Sequence, residues 1–530
     1  MRRDISPYNA RAAHAWSRAA GVALAAALAL AAASQGEPAA KDDLARRTFA
    51  NAEQLMKEGK IEQALRDFEQ VSSAYPDSGM ADDALYRIAL HFYPVESVDA
   101  VGGASRDAIE KARGLFTTIN SRYPREDSAP KALYKLGLIA LDPSNPKRDL
   151  DEAYADFSAV VNIYPTSDIV DKALLGAGFA DMMAGRYDKA VTAFEQVAEQ
   201  FPNGPAAEEA RFALGMALAR SGAFIPALEE FQRVRVLYPE GRLAGRALDR
   251  LTQIYKLKVQ PGLALKPLYA LDAGYKPELD AQALRGAIGL AVDASGSAHV
   301  LDPRTGGVMR LGASGKRLSV GAPLAGAVSI SVDPDGVELL AAGDKIRTGV
   351  EMIALSRADE GPPRPLSRIA AAARAGPAQI AVLEQDRNEV LLYSGDPVRP
   401  KLLFRDPAGR ARLSGLVAGA NGALYTVDRR GRRILEITTA ATFKEIPIAA
   451  ELAVGLEDAD LAADDMGDLF VLDRRADRIL VITTAGALVE TVASQPGGAL
   501  EFSYPSAIAV GPGAEIYVYD EKRKTILKFR

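Results

Sequence analysis

The sequence predicts a multidomain chain, all-α in its first half and all-β in its second: a helical-repeat solenoid followed by a six-bladed β-propeller. Three observations carry this. One helical spacing recurs five times without gaps, a strand–turn–strand unit recurs six times, and the period changes near Lys258. The 530 residues suffice for two to four domains of roughly 100–200 residues each. With 48% hydrophobic and 25% charged residues, the composition is that of an ordinary globular chain.

Arg2, Arg3, Arg11 and Arg18 precede the uncharged, Ala- and Leu-rich stretch Ala19 to Ala33, which ends in the small residues a signal peptidase needs. The stretch is shorter than the roughly 20 apolar residues of a membrane span. Residues 1–33 are therefore expected to be a cleaved secretory signal and 34–41 a flexible N-terminus; the other reading is an uncleaved anchor. Cysteine is absent, so the exported chain would have no disulfides and no lipobox cysteine to acylate. A periplasmic protein, at most peripheral to a membrane, is expected. The net charge of -5 argues against a surface built for nucleic acid, and any basic site must be local.

In the first half, a small, an aromatic, an aliphatic and a second aromatic residue stand at i, i+4, i+7 and i+11. The copies are Ala64/Phe68/Val71/Tyr75, Ala112/Phe116/Ile119/Tyr123, Ala153/Phe157/Val160/Tyr164, Ala190/Phe194/Val197/Phe201 and Ala227/Phe231/Val234/Tyr238. Those offsets put all four side chains on one helical face. A proline follows each copy (Pro76, Pro124, Pro165, Pro202, Pro239) and stops the helix. Eight residues later an alanine (Ala84, Ala132, Ala173, Ala210, Ala247) allows close approach of a second helix. The last three prolines are 37 residues apart.

The combination G-x-Y/F/I-x-x-A-L/V-x-x-F-x-x-V-x-x-x-Y/F-P resembles the tetratricopeptide repeats of bacterial envelope proteins. It is similar to the Tol–Pal accessory protein and to the helical lipoprotein of the outer-membrane assembly machinery. The resemblance covers residues 42–258 and implies a solenoid whose concave face docks a protein segment.

Residues 259–287, beginning "VQPGLALKP", are expected to be a linker and a propeller-closing strand. In 288–530 short β-rich runs alternate with Gly/Asp turns. Asp302, Asp428, Asp473 and Asp520 each end a strand ("AHVLD", "LYTVD", "LFVLD", "IYVYD"), with an aliphatic residue six positions on. Each unit reads as strand, tight turn, strand, charged turn, strand. Two more units, "AVSISVDPDGVELLAAGDKIRTGV" and "PAQIAVLEQDRNEVLLYSGDP", are degenerate. Six such units fit four-stranded propeller blades. The innermost strands are expected to be "AIGLAVD", "VSISVD", "AQIAVLE", "SGLVAG", "ADLAAD" and "SAIAVG". Because the chain stops at "TILKFR", a third strand, "LKPLYALDAG" is the expected fourth strand of the last blade.

The propeller pattern resembles NHL repeats, in which I-A-V-D-x-x-G-x-L/I/V-Y/F/H-V-x-D is followed by x-I/V-x-x-F/I/L. Six-bladed propellers also include lactonases that hold calcium in the channel through oxygen ligands. Here the innermost strands carry few such ligands, and histidine is limited to His14, His91 and His299. No P-loop, GxSxG or HExxH motif is present, so no catalytic residue, metal ligand or cofactor is assigned. The expectation is a non-enzymatic scaffold; the alternative is a calcium-dependent propeller hydrolase localised by its solenoid.

Charge is distributed unevenly. The turns between first and second strands ("DASGS", "DPDGV", "ADDMGD", "GPGAE") are largely acidic, and those between second and third ("DPRTGG", "DRRGRR", "DRRADR", "DEKRKT") are largely basic. In blades four to six, Arg429, Arg430, Arg432, Arg433, Arg474, Arg475, Arg478, Lys522, Arg523 and Lys524 are the candidate site for an anionic partner. That partner is an acidic protein segment of the cell envelope, an anionic glycan or a lipid headgroup, and not nucleic acid. The recurring aspartates, including Asp473, are expected to brace their own turns.

Overall fold

The computed structural model describes residues 41–102, 104–145, 147–263, 268–279, 289–302, 304–333, 336–358, 362–376, 379–419, 422–464, 466–493 and 502–530. The expected signal at 1–33 lies outside the described residues. By its contacts the chain forms two compact units: one runs up to Glu96 and adds Asp107–Leu136, the other joins Ser97–Arg106 to Gly137–Arg530. This division falls inside the helical repeats rather than at their end.

The first unit contains helices α1 (41–57), α2 (Ile61–Ala74) and α3 (Ala81–Phe92), most of α4 (Arg106–Arg122) and the start of α5 (Ser128–Leu141). Ala64, Phe68 and Val71 of α2 pack with Ala45, Ala52, Ala84 and Ile88 in one buried cluster. The second unit continues the repeats with α6 (Leu150–Ile163), α7 (Val170–Met183), α8 (Tyr187–Gln200), α9 (Ala207–Arg220), α10 (Phe224–Leu237) and α11 (Ala244–Ile254). In all five copies the Ala, Phe and aliphatic positions are fully buried, as are the five alanines that follow the prolines. Each such Phe contributes roughly 1.5–3 kcal/mol of burial.

The fourth position of the spacing behaves differently from expectation. Tyr75, Tyr164, Phe201 and Tyr238 are helix C-caps with φ near -130° and only partial burial. The cause is the next residue, since a proline ring disfavours helical backbone in the residue before it. Freed from the helix, Tyr123 donates its hydroxyl proton to the Pro76 carbonyl (2.8 Å), and Tyr238 donates to Pro202 (3.2 Å). The ring brackets the preceding repeat rather than filling its core.

Glycines explain how closely the helices approach. An added Cβ on Gly137 or Gly176 would lie 2.7 or 2.8 Å from the Phe157 ring, and one on Gly178 would lie 2.5 Å from Phe194. Phe157, Phe194 and Phe231 of the last three repeats therefore lie against glycine on a neighbouring helix, where no side chain fits.

After α11 the chain tightens into a π-turn (Tyr255–Val259) and a 3-10 turn (Gln260–Leu263). Among the described residues six antiparallel blade sheets follow, each ordered from the innermost strand outward, with a two-stranded ribbon (Ser356–Arg357 with Arg364–Pro365) between blades two and three. Blade one is Gly289–Val292, Ala298–Leu301, Val308–Leu311 and Arg317–Val320; blade two is Ser329–Val332, Glu338–Ala342, Lys345–Thr348 and Glu351–Ala354. Blade three is Ile369–Gly376, Gln379–Glu384, Glu389–Ser394 and Lys401–Arg405; blade four is Leu413–Ala418, Leu424–Asp428, Arg433–Ile437 and Phe443–Ile446. Blade five is Ala459–Ala463, Leu469–Asp473, Arg478–Ile482 and Leu488–Ala493; blade six is Pro505–Val510, Ile516–Asp520 and Thr525–Phe529.

Blade three corrects one expectation. "QIAVLE" is its second strand, and the innermost is the alanine-rich Ile369–Gly376. Ala and Arg favour helices in isolation. Here Ala371, Ala373 and Ala375 are buried against blade four in a shared core, which overrides that preference.

The ring closes as the sequence predicts. Ala270 and Arg530 exchange both backbone hydrogen bonds at 3.0 Å, Asp272 N–H donates to the Lys528 carbonyl at 2.8 Å, and Leu271 pairs with Phe529. The innermost strand of blade six contacts that of blade one. Residues preceding blade one thus supply the last blade's outer edge.

Candidate functional site

The recurring aspartates brace the turn between the second and third strands. Asp428, Asp473 and Asp520 are at most 1% exposed. Asp428 accepts from the N–H groups of Arg412 (2.9 Å) and Gly431 (3.1 Å), Asp473 from those of Arg475 and Ala476 (both 3.2 Å), and Asp520 from those of Ser503 (2.7 Å) and Arg523 (3.0 Å). In blade three Glu384 takes this place. Arg357 bridges it to Glu389 with both contacts at 2.8 Å. Blade two has Ala342 there, which is why its repeat reads as degenerate.

The face carrying the turns between first and second strands is partly occupied by the end of the solenoid. Gln253 of α11 donates to Asp464 (2.7 Å), and Lys258 pairs with Asp468 (2.6 Å). Leu257 lies in the core cluster shared by blades five and six, and Met466 packs against the apolar cluster of α9 to α11. The Lys256 ammonium lies 3.7 Å from the Tyr269 ring centroid. Both aspartates are buried. Burial, with Asp468 beside it, pushes the Asp464 carboxyl up to about 7, and burial also raises Asp468. The acidity of the "ADDMGD" turn is thus spent on holding the solenoid.

The opposite face carries the basic turns. Six of the ten candidate cations meet carboxylates there. Arg433 pairs with Asp428 (3.0 Å) and Glu445 (3.3 Å), Arg478 with Asp473 (2.9 Å), and Arg474 with Asp458 (3.3 Å). Arg523 lies 4.0 Å from Asp520. Arg432 and Arg475, from different blades, converge on Glu457, whose carboxyl they hold below its ordinary range. Arg429, Arg430, Lys522 and Lys524 have no carboxylate partner among the described residues.

Between blades three and four this face opens into a cavity of about 290 Å³, lined by Arg368, Arg412, Arg429, Gln385, Ser414 and Gly415 with neighbouring backbone. Of these, only Arg429 carries the sequence signal of following a strand-two aspartate. Arg368 and Arg412 immediately precede innermost strands, where the repeat shows no motif. A signal was nevertheless present: "SR" before "IAAAARAG" and "AR" before "LSGLVAG" place an arginine at the same register in consecutive blades.

His299 is 1% exposed and lies between Glu338 (2.9 Å) and Asp293 (3.2 Å), which also accepts from Arg310 (2.9 Å). It is a member of a buried hydrogen-bond network joining blades one and two, in which the Arg310 Nε alone lacks a partner among these groups. His91 sits in the last turn of α3. Among the described residues, the carboxylates close enough to share an ion are Asp82, Asp83 and Asp127 of the solenoid. There burial and the two neighbouring aspartates push Asp83 up to about 6.

A tetratricopeptide-repeat family profile matches residues 172–204. No curated protein sequence matches the chain. Among solved structures, virginiamycin B lyase from Staphylococcus aureus is 17% identical, covering 49% of this chain and 99% of its own at a TM-score of 0.37. A gluconolactonase from Xanthomonas campestris is 11% identical over 46% of this chain and 84% of its own (TM-score 0.34). PilF of Pseudomonas aeruginosa is 14% identical over 41% of this chain and 85% of its own (TM-score 0.30). The chain is an N-terminal region of tetratricopeptide-type helical repeats followed by a six-bladed β-propeller.

Proposed function

We propose that this protein is a non-enzymatic adaptor of the bacterial cell envelope, exported to the periplasm by its Arg-flanked, Ala-rich N-terminus. Its solenoid takes a protein segment, and the basic face of its propeller takes a second, acidic protein segment. The observation that carries this reading is the asymmetry of the propeller. Its acidic "ADDMGD" turn binds the chain's own solenoid, while Arg429, Arg430, Lys522 and Lys524 on the other face make no ion pair among the described residues. Exposed cations held on rigid turns attract anions and speed their encounter.

The test uses a glutamate-rich peptide and the full chain. Reversing Arg430, Lys522 and Lys524 to Glu together is expected to abolish peptide binding, and binding by the unaltered chain should weaken as salt rises. Binding unchanged by both would remove the acidic-segment reading. Binding of anionic vesicles but not the peptide would move the partner to a lipid surface. Calcium bound by the purified protein with a matching stabilisation would instead favour the hydrolase reading.

A further inference from the structure

In four blades, the residue after strand two donates its N–H to the carbonyl of the residue before the innermost strand. The pairs are Gln385 to Arg368 (2.9 Å), Arg429 to Arg412 (2.9 Å), Arg474 to Asp458 (3.2 Å) and Glu521 to Tyr504 (2.9 Å). These pairs stand where the innermost strands begin, at the mouth of the central channel. The mouth is chemically lopsided. Blades three and four place Arg368, Arg412 and Arg429 around the 290 Å³ cavity, whereas Asp458 and Glu521 occupy the corresponding places of blades five and six.

The cationic side is under-neutralised. Arg368 reaches Asp386 at 3.6 Å, and both are exposed. Asp458 and Asp460 are engaged by Arg474, at 3.3 and 4.0 Å. Neither Arg412 nor Arg429 has a carboxylate at ion-pair distance among the described residues. Three guanidiniums around the cavity therefore face one paired carboxylate. The Arg429 side chain is half-buried and its Nε has no hydrogen-bond partner. Burial and then Arg474 disfavour its charge, Asp458 and Asp460 offset this in part, and Arg412 adds to the penalty. Converging like charges around an open cavity cost stability unless something offsets them.

The backbone is also shaped there. The innermost strand of blade four slips register between Ser414 and Val417. Gly415 lies at φ +67°, and a Cβ on it would meet nothing within 4 Å. Thr426 is fully buried and donates to the Gly415 carbonyl at 2.7 Å, pinning the bulge. Bulges of this kind bend a strand and re-aim its side chains, and they are over-represented beside functional sites. The other described innermost strands hold no positive-φ glycine.

We propose that this cavity binds a compact dianion, a phosphate monoester or a dicarboxylate, clamped by Arg412 and Arg429 with Arg368 as the outer wall. Two guanidiniums with no ion pair among the described residues match two negative charges, and guanidinium forks bind phosphate and carboxylate oxygens in pairs. The proposal rests on the reading that the basic face is the free one. It does not rest on the second partner being a macromolecule.

Isothermal titration of the full chain at low salt and pH 8 tests it, with O-phospho-L-serine and succinate as dianions and acetate as the monoanion. Both dianions are expected to bind saturably at one site, with acetate about tenfold weaker or more. Arg412→Gln and Arg429→Gln should each weaken the dianions by about tenfold or more, the effect of losing one charge-assisted bidentate contact. Arg430→Gln, outside the cavity, should change them by less than about twofold. Absence of saturable binding, equal binding of acetate, or an Arg430→Gln loss matching that of Arg412→Gln would overturn the proposal. If the dianions fail while the glutamate-rich peptide still binds in an Arg430-dependent way, the cavity is refuted and the adaptor reading stands. A peptide bearing one phosphoserine separates the sources. Affinity equal to the free amino acid assigns the cavity to a free metabolite, and a gain of about tenfold assigns it to a protein-borne phosphate.

Discussion

The two faces of the propeller come from one repeated unit, yet they serve opposite ends. On one, Asp464 and Asp468 are buried beneath the solenoid and paired with Gln253 and Lys258. On the other, arginines crowd a channel mouth, and Arg412 and Arg429 make no ion pair among the described residues. The turns already differ in sign between the two faces, acidic on one and basic on the other. In this chain the solenoid covers part of the acidic face and leaves the basic one open.

Deleting Leu268–Gly274, which removes the closing strand, should have the largest effect because it destroys both faces together. Calorimetry of the deletion variant is expected to show no cooperative propeller transition. An unchanged melting temperature would mean that the ring does not need this strand.

The next effect falls on the covered face alone. Lys258→Glu would add a third carboxylate to the buried pair Asp464 and Asp468 and should cost about 3–5 kcal/mol, as when a buried pair is broken. Denaturant unfolding should show the loss, and a second change, Asp468→Lys, should recover part of it. No recovery would indicate that the contact is not made in solution.

The pH dependence of the same contact is smaller and has a definite sign. Asp464 titrates near its ordinary 3.8 in the unfolded chain and near 7 in the folded one. Between those values the folded chain holds a proton that the unfolded chain has lost. Stability should therefore fall as pH rises through that window and level off above it. Asp464→Asn should flatten the slope relative to the unaltered chain; an equal slope in both would place the titration elsewhere.

On the open face, Arg430→Glu should change stability by no more than about 0.5 kcal/mol, as for an exposed residue without partners. A larger loss in thermal unfolding would show that Arg430 is structural, like Arg433 and Arg478.

Much of this architecture is legible in the sequence wherever the signal is periodic. The buried Ala, Phe and aliphatic positions follow from helical spacing, and the aspartate braces follow from their register. The closing strand follows from a blade left one strand short. Features set by contacts between distant segments were not legible. Gln253 and Asp464 are 211 residues apart, and no local pattern joins them. The convergence of Arg432 and Arg475 on Glu457 required blades four and five to be placed side by side. The alanine-rich inner strand of blade three was hidden because its local preference is helical and only burial against blade four reverses it. Arg368 and Arg412 lie one residue outside the motif, distant in sequence from the strand-two acids although the fold sets Arg412 against Asp428 at 2.9 Å.

The measurement that bears most directly on the opposition of the two faces is arginine footprinting of the intact chain with phenylglyoxal, read by mass spectrometry. Arg412 and Arg430 are exposed, while Arg250, at the covered face, is 8% exposed. Fast modification of Arg412 and Arg430 and slow modification of Arg250 are expected, with O-phospho-L-serine protecting Arg412 but not Arg430. Modification of Arg250 as fast as that of Arg412 would show that the solenoid does not cover the acidic face and that the two faces are not opposed in this way.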